Sequence, residues 1–289
     1  MSSRFISWAL FTLLSLIWGS SFILMKIGYE ALTPTQIAGV RIFSGGLVFV
    51  PIAIFHIRKV PGKKILLLVI AGLTGNFIPA FLFTAAITKL DSSLEGILNS
   101  LTPIWVVIMG IVIFKDKIEN RKIIGVLIGF VGLVLLTLSQ NELNLDHLGY
   151  SSLVILATLC YGFNVQMVSH YLKGIPSFHI ATISLALMTI PAGIVLWYNG
   201  FFELDFSDAT IQWSTIASLM LGLGGSAIGN ILFYALVNRA GALFTSLVTY
   251  AIPFVALLWG IQSGEKVTWE EIGCLAIILS GVYLVNKKN

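Results

Sequence analysis

The sequence predicts an all-α membrane protein with ten transmembrane helices, arranged as two inverted five-helix repeats. Composition is the first indication, because 57% of the 289 residues are hydrophobic and 10% are charged, with a mean hydropathy of +0.95. A soluble domain carries about 25% charged residues and has no interior for so much apolar surface. The second indication is a series of apolar stretches of about 20 residues, the length that spans a bilayer. The third is a likeness between the two halves of the chain.

Each apolar stretch is long enough to cross about 30 Å of hydrocarbon as a helix. The first stretch lacks a small-residue cleavage site, so we expect it to remain as the first helix rather than act as a signal peptide. The loops between the stretches are too short to hold a soluble domain. The predicted spans are 6–27, 34–55, 65–87, 92–114, 123–139, 148–169, 178–198, 211–237, 240–262 and 268–285.

Basic residues fall mostly on one side of the predicted membrane. If the N-terminus is inside, most Lys and Arg lie in the inner segments and most Asp and Glu in the outer loops, as the positive-inside rule requires. We therefore expect both termini in the cytoplasm. The net charge of +4 is explained by this topology, and no nucleic-acid partner is expected. The inner basic residues are Arg4, Arg58, Lys59, Lys63, Lys64, Lys115, Lys117, Arg121, Lys122, Lys173, Arg239, Lys287 and Lys288.

The third and eighth predicted spans share a motif. Gly72-Leu73-Thr74-Gly75-Asn76 aligns without gaps with Gly222-Leu223-Gly224-Gly225-Ser226, and the alignment continues to Pro103 and Pro253. The chain is thus predicted to contain two copies of one five-helix unit.

The two repeats, 1–140 and 147–289, each hold five predicted helices. Since five is odd, the second copy enters the membrane from the opposite side. The basic loop 115–122 is predicted inside, and its mainly acidic counterpart 265–271 is predicted outside. Inverted repeats of this kind allow carriers to open alternately to either side of the membrane.

Several short motifs resemble a known family of transporters. Residues 16–22 (Leu-Ile-Trp-Gly-Ser-Ser-Phe) with Lys26, Pro34 and Arg41 resemble the opening of the EamA family in the drug/metabolite transporter (DMT) superfamily. Two further segments, 98–103 and 248–253, resemble that family's helix 4 and helix 9 signature, so the resemblance covers essentially the whole chain.

The family resemblance implies export of amino acids or related metabolites across the bacterial inner membrane, with the protein inserted there as a multi-pass chain. It also implies a central cavity shared by helices of both halves, with helices 5 and 10 at the periphery. Arg41 aligns near the apolar Ile183 in the second half, so a two-fold symmetric role for Arg41 is not expected.

Arg41 and Glu95 are charged residues predicted at membrane depth. The free energy of placing either charge in lipid is unfavourable, so each side chain is expected to face protein or a water-filled cavity. One interpretation is that they pair, form an outer gate or coupling element, or anchor a zwitterionic solute. The other is that Arg41 is a structural lock and Glu95 reaches the headgroups near Asp91.

Polar and aromatic residues inside the spans are the predicted substrate-binding set. Amides suit the recognition of polar solute groups, although buried amides also bond neighbouring helices. Aromatic rings at equivalent places in helices 1 and 6 suit the walls of a site, although packing is their default role. The set is Trp18, Ser21, Asn76, Asn99, Tyr161, Asn164, Ser226 and Asn230.

Prolines and glycines suggest mechanical roles. Pro103 and Pro253 occupy equivalent interior positions, weaken helices 4 and 9, and are predicted hinges. The spacing of Gly125 and Gly129 allows close helix approach, either within the chain or between subunits, so a homodimer remains an open alternative.

Motifs of the main enzyme classes are absent from the sequence. It contains no phosphate-binding Gly-x-x-x-x-Gly-Lys-Ser/Thr loop and no His-Glu-x-x-His helix. Cys160 and Cys274 lie in apolar runs and are expected to be small buried hydrophobic residues. We therefore expect no enzymatic activity, no cofactor and no metal site.

The sequence thus predicts a secondary transporter that exports small metabolites by alternating access, with amino acids or related amphipathic compounds as cargo. Alternatives are a channel or facilitator for small solutes and an efflux carrier for drugs or toxic compounds. The inverted repeat and the scarcity of charged rings favour a carrier over a channel. The expected partners are a small-molecule substrate and the lipid bilayer. Any proton coupling is expected to involve Glu95.

Overall fold

The computed structural model describes residues 3–90, 92–140, 148–262 and 268–287. Every regular element within these ranges is a helix, and each predicted span coincides with one to three consecutive helical pieces. The predicted junction of the repeats at 141–147, and part of the acidic loop 265–271, lie outside the described residues.

The helical pieces form segments that we number α1 to α10 in chain order. In the first half they are α1 (Ser3–Gly19 and Ser21–Gly28), α2 (Pro34–Leu47, Val50–His56 and Ile57–Lys59), α3 (Gly62–Gly72, Leu73–Phe77 and Ile78–Ala86), α4 (Ser92–Asn99 and Thr102–Val112) and α5 (Asn120–Gln140). In the second half they are α6 (Leu148–Tyr171), α7 (Ser177–Leu187 and Thr189–Tyr198), α8 (Ala209–Met220, Leu221–Ile228 and Gly229–Ala240), α9 (Ala242–Ser246 and Val248–Gln262) and α10 (Trp269–Asn286).

Six helices in the described ranges are long and apolar enough to cross a membrane, by length and composition. A seventh candidate is α2, whose two parts are bent by 50° at a short break. Ten crossings, and the inversion of the two halves, stay predictions. The six spans are Arg4–Gly28, Gly62–Ala86, Gly149–Tyr171, Ser177–Tyr198, Ala209–Ala240 and Trp269–Asn286.

Side-chain caps fix where three segments begin. Thr33 and Gln36 form a reciprocal capping box at the start of α2, and Thr268 and Glu271 form another at α10. Such caps satisfy backbone amides that a helix start leaves free. At α8 the Asp208 carboxylate accepts hydrogen bonds from the backbone amides of Ile211 and Thr210, which lower the pKa of that carboxyl below its usual range.

Glycines bring α5 and α10 into backbone contact. Gly281 lies against Gly125 and Gly129, so that a β-carbon at Gly281 would come 2.5 Å from the Gly125 carbonyl oxygen. Further along α5, Gly132 faces Ile278 of α10. Because residue numbers rise along one helix as they fall along the other, α5 and α10 run antiparallel.

The same geometry joins α2 and α7. Gly39 lies against Leu196, whereas Gly46 lies against Leu185 and Thr189, so these two helices also run antiparallel. Small residues at such crossings allow the close packing by which membrane helices associate.

Contacts between the remaining segments come in equivalent sets. In one set α1 packs on α8 and α9, and α8 packs on α2. In the other, α6 packs on α3 and α4, and α3 packs on α7. Exchanging each segment with the one five places away converts one set into the other, and this exchange relates the two halves.

Replacing Gly281 with Ala should lower the melting temperature of the purified protein. The added methyl group meets backbone atoms that cannot rotate away, and overpacking of this kind costs about 1–3 kcal/mol. Gly273→Ala is the matched control on the same helix, because a β-carbon there has no neighbour within 4 Å. Equal melting temperatures for the two variants would show that this glycine contact is not a tight one.

Candidate functional site

A cavity of about 100 Å³ lies between the two halves of the chain. Both halves line it, through α1, α2, α3, α4, α6, α8 and α9. Its lining is mostly apolar with a few polar groups, the combination typical of small-molecule sites. The predicted site residues that line it are Trp18, Ser21, Arg41, Asn76, Asn99, Tyr161, Asn164 and Asn230. We call it the seam cavity.

The other predicted site residues lie outside the lining. Ser226 does not line the cavity, but its hydroxyl accepts a hydrogen bond at 3.0 Å from Nε of Arg41, which does. Glu95 is fully buried in α4. Pro103 is the second residue of the piece of α4 that follows a break, and Pro253 lies inside the longer piece of α9.

Arg41 does not pair with Glu95 in this conformation. Among the described residues, ion pairs join Glu119 to Arg121 and Lys122, and Asp116 to His170, and none involves Arg41. The Arg41 guanidinium instead lies at the seam cavity and bonds to Ser226 of the opposite half. It therefore supplies positive charge to the cavity.

Glu95, the second predicted gate residue, is a buried acid. Its side chain has no exposed surface, and neither carboxyl oxygen has a hydrogen-bond partner among the described residues. An unpaired ionised carboxylate at such a place is very unfavourable, so the buried side chain is expected in its neutral, protonated form.

Two amides couple the halves across the cavity. Asn230 Nδ2 donates a hydrogen bond to Asn76 Oδ1, joining α8 to α3. Asn164 Nδ2 donates to the Ala71 carbonyl at 3.0 Å and to Thr74 Oγ1 at 3.2 Å, while Asn164 Oδ1 accepts from the Tyr234 hydroxyl. Asn164 therefore has a clear structural role.

Two other amide atoms have no partner. Asn76 Nδ2 is a donor and Asn99 Oδ1 is an acceptor, both buried and both without a hydrogen bond in the described part of the chain. Buried polar groups are nearly always satisfied, and an orphan costs about 1–3 kcal/mol. The two residues line the same cavity, so a ligand with one acceptor and one donor could satisfy both atoms.

Aromatic pairs form equivalent walls in the two halves. The ring centroids of Trp18 in α1 and Phe233 in α8 are 5.4 Å apart, and those of Tyr161 in α6 and Phe83 in α3 are 5.9 Å apart. Trp18 and Tyr161 are repeat equivalents, as are Phe83 and Phe233. Trp18 Nε1 also donates to the Gly225 carbonyl at 3.0 Å, which fixes the indole against α8.

The shared glycine motif forms a π-helical turn in each half. These turns are Leu73–Phe77 in α3 and Leu221–Ile228 in α8. Single π-turns are rare, and they occur often at functional sites. The two turns carry Asn76 and Ser226, so the distorted backbone presents the polar residues of the site.

The first glycine of the shared motif packs on a helix of the opposite half in each repeat, within the π-helical turn of α8 and directly before that of α3. Gly222 lies against the Arg41 carbonyl, and a β-carbon there would come 2.5 Å from that oxygen. Its equivalent, Gly72, lies against the Ser184 carbonyl of α7. The contact between Gly222 and the Arg41 carbonyl places Arg41 beside Ser226, to which it donates a hydrogen bond.

Several lining residues escaped the sequence prediction. Three hydroxyl residues at the start of α9 line the cavity: Thr245, Ser246 and Thr249. A fourth, Thr102, lines it from α4. Within an apolar helix such residues usually bond to their own backbone, as Thr249 does to the Ser246 carbonyl, so type and spacing did not mark them. The apolar lining residues Phe22, Met25 and Ile252 resemble any core residue. The alignment of Phe83 with Phe233 was the one available signal for that pair.

Comparisons with known proteins agree with this arrangement. The model of the EamA-like transporter family matches residues 6–138 and 149–287. A solved crystal structure of a protein superposes with a TM-score of 0.71 at 15% identity, covering 98% of this chain and 96% of that chain, which shows similarity of fold.

Curated relatives are similar along nearly their whole length. A probable amino-acid metabolite efflux pump of Salmonella typhimurium is 25% identical, covering 94% of this chain and 92% of the relative. The inner membrane transporter YedA of Escherichia coli K12, described as uncharacterized, is 26% identical, covering 97% and 92%. An uncharacterized transporter of Archaeoglobus fulgidus is 22% identical, covering 97% and 99%. These names indicate a multi-pass membrane transporter rather than an enzyme. Since the family model matches most of the chain, this protein belongs to the EamA-like transporter family.

Proposed function

We propose that this protein is a secondary transporter that exports amino acids or related amphipathic metabolites by alternating access, with the seam cavity as its binding site. The observation that carries the proposal is the pair of unpartnered buried amide atoms at Asn76 and Asn99, both at a cavity between two equivalent halves. The proposed site residues are the predicted set, with Arg41 and Glu95 at the gate or in coupling.

The chemistry of the cavity favours an amphipathic cargo. Arg41 offers a cation for a carboxylate, the two orphan amide atoms offer one donor and one acceptor, and the paired aromatic walls suit an apolar side chain. Amino acids combine these three features. The name of the Salmonella relative, an amino-acid metabolite efflux pump, is consistent with such a cargo.

Alternating access follows from inverted repeats. The family model matches twice, at 6–138 and 149–287, which supports repeats at 1–140 and 147–289. Equivalent helices run antiparallel in two pairs that pack closely, α2 with α7 and α5 with α10. This geometry supports ten crossings in two inverted halves, with both termini in the cytoplasm and the chain in the inner membrane. The predicted hinges at Pro103 and Pro253 belong to the same proposal.

Cysteine labelling of intact cells should place equivalent loops on opposite faces. In a variant with Cys160 and Cys274 replaced by Ala, Lys63→Cys exposes one thiol in the first turn of α3, and Ser207→Cys exposes one in the loop before α8. We expect a membrane-impermeant maleimide to label Ser207→Cys in cells and Lys63→Cys only after lysis. Labelling of both thiols from the same face would contradict inversion.

Transport in proteoliposomes should saturate and show counterflow of a labelled amino acid from a panel. Asn99→Leu removes the orphan acceptor, and the half-saturation concentration should rise about twofold to twelvefold, because a neutral hydrogen bond contributes about 0.5–1.5 kcal/mol. Asn120→Leu is the control, since Asn120 is exposed at the start of α5 and remote from the cavity lining. Flux without saturation or counterflow would favour the channel alternative.

Glu95→Gln should abolish the pH dependence of transport while leaving the protein folded. The amide is neutral and nearly isosteric with the protonated acid that burial favours, but it cannot release a proton during the cycle. The measurement is initial uptake rate against pH on both sides of the vesicle. Glu203→Gln, at an exposed loop position, should keep the profile of the unmodified protein. A pH profile unchanged by Glu95→Gln would exclude Glu95 from coupling.

A further inference from the structure

A second, larger cavity of about 940 Å³ lies at the predicted cytoplasmic ends of the helices. It is separate from the seam cavity, because no residue lines both. Its walls are residues 116–122, which lead from α4 into the first turn of α5, the end of α6 with Lys173 beyond it, residues 240–244 at the junction of α8 and α9, and residues 285–287 at the end of α10. We call it the basal cavity.

Positive charge predominates in the basal cavity. Its two acids are already engaged, since Asp116 pairs with His170 at 2.9 Å and Glu119 pairs with both Arg121 and Lys122. Hydrogen bonds from Lys122 and Arg121 lower the pKa of the Glu119 carboxyl, so Glu119 stays ionised and bound to them. The three remaining lysines have no ion pair with any described residue: Lys117, Lys173 and Lys287.

Two buried polar atoms at this cavity are unsatisfied. Gln166 is 2% exposed. Its Nε2 donates to the Val106 carbonyl at 2.8 Å, which leaves Oε1 as an acceptor without a partner in the described chain. Arg121 Nε is a buried donor, also without a partner there. A fitting ligand therefore carries an anionic oxygen for Arg121 and the lysines, and a hydrogen-bond donor for Gln166.

We propose that the basal cavity binds the headgroup of an anionic phospholipid whose phosphodiester carries a hydroxyl group, the chemistry of phosphatidylglycerol. The phosphodiester oxygens meet Arg121 and the free lysines, and the headgroup hydroxyl donates to Gln166 Oε1. Basic pockets between helices on the cytoplasmic side of a membrane are suited to such headgroups.

Position favours a lipid over a free phosphate ester as the source of this group. The loop that supplies Asp116 to Lys122 follows directly on Ile111, Val112 and Ile113, three exposed apolar residues at the end of α4. Exposed apolar surface of this kind faces acyl chains in a membrane protein. A headgroup in the cavity could thus keep its acyl chains in the adjacent leaflet.

The test measures binding of dioleoylphosphatidylglycerol to the full-length protein in detergent, by lipid-dependent shift of the melting temperature. Dioleoylphosphatidylcholine, titrated alongside, should give a much smaller shift. Lys117→Gln with Lys173→Gln should weaken the apparent affinity for phosphatidylglycerol about fivefold for each lysine. The matched control is Lys59→Gln with Lys63→Gln, which removes the same charge from exposed positions on the same predicted face, outside the cavity. Equal weakening in both double variants would overturn the proposal, because it would reveal general surface attraction.

Two further probes test the headgroup. Dioleoylphosphatidylmethanol has the phosphodiester but no hydroxyl, so it should bind more weakly than phosphatidylglycerol, whereas equal binding would remove Gln166 from the proposal. Glycerol phosphate alone should not reproduce the shift, and a shift as large as that of the lipid would overturn the lipid assignment in favour of a soluble ligand. These readouts measure lipid binding and do not depend on whether the protein transports amino acids.

Discussion

Close packing of the first glycine of each shared motif against a helix of the opposite half is the contact on which the seam cavity depends. Gly222 lies against the Arg41 carbonyl in α2, and Gly72 lies against the Ser184 carbonyl in α7. Because neither position has room for a β-carbon, the backbones approach as closely as they can. That approach brings Arg41 to Ser226 and Asn230 to Asn76, so the site is assembled from both halves at once.

The bilayer core restricts which polar groups of this site can be left without a hydrogen bond. With no water in the bilayer core, each polar group has to be satisfied within the protein or by what the protein encloses. Asn164 meets the requirement through α3 and Tyr234. The unpartnered atoms of Asn76 and Asn99 do not, and they face a space that a solute could enter. These two unpartnered amides both line the cavity, which distinguishes them from amides that only hold helices together.

Much of the helical pattern was predictable from hydropathy, because apolar stretches about as long as the bilayer is thick leave few alternatives. The residues of the seam cavity were predictable in part, since the repeat singled out Asn76, and Trp18 and Tyr161 matched each other. Hydropathy does not resolve whether a glycine-rich stretch is α-helical or π-helical, so the two distorted turns escaped prediction. The partner of Arg41 escaped too, because Ser226 lies 185 residues away and only the fold brings them together.

The equivalence of the two halves bears on how such a site could open to either side. The packing of α1 on α8 and α9 has its counterpart in the packing of α6 on α3 and α4. If one of these interfaces loosens while the other tightens, the interface that opens resembles the one that closes, so two such conformations would differ little in free energy. Occupation of the orphan amides by a solute is then a sufficient bias, because a few kcal/mol shifts a nearly balanced equilibrium strongly. Arg41 and Glu95 break this equivalence. Arg41 aligns near Ile183 and Glu95 with Thr245, so the second half has no matching charge at either position. In the proposed mechanism Arg41 and Glu95 are therefore the residues through which one direction is favoured over the other.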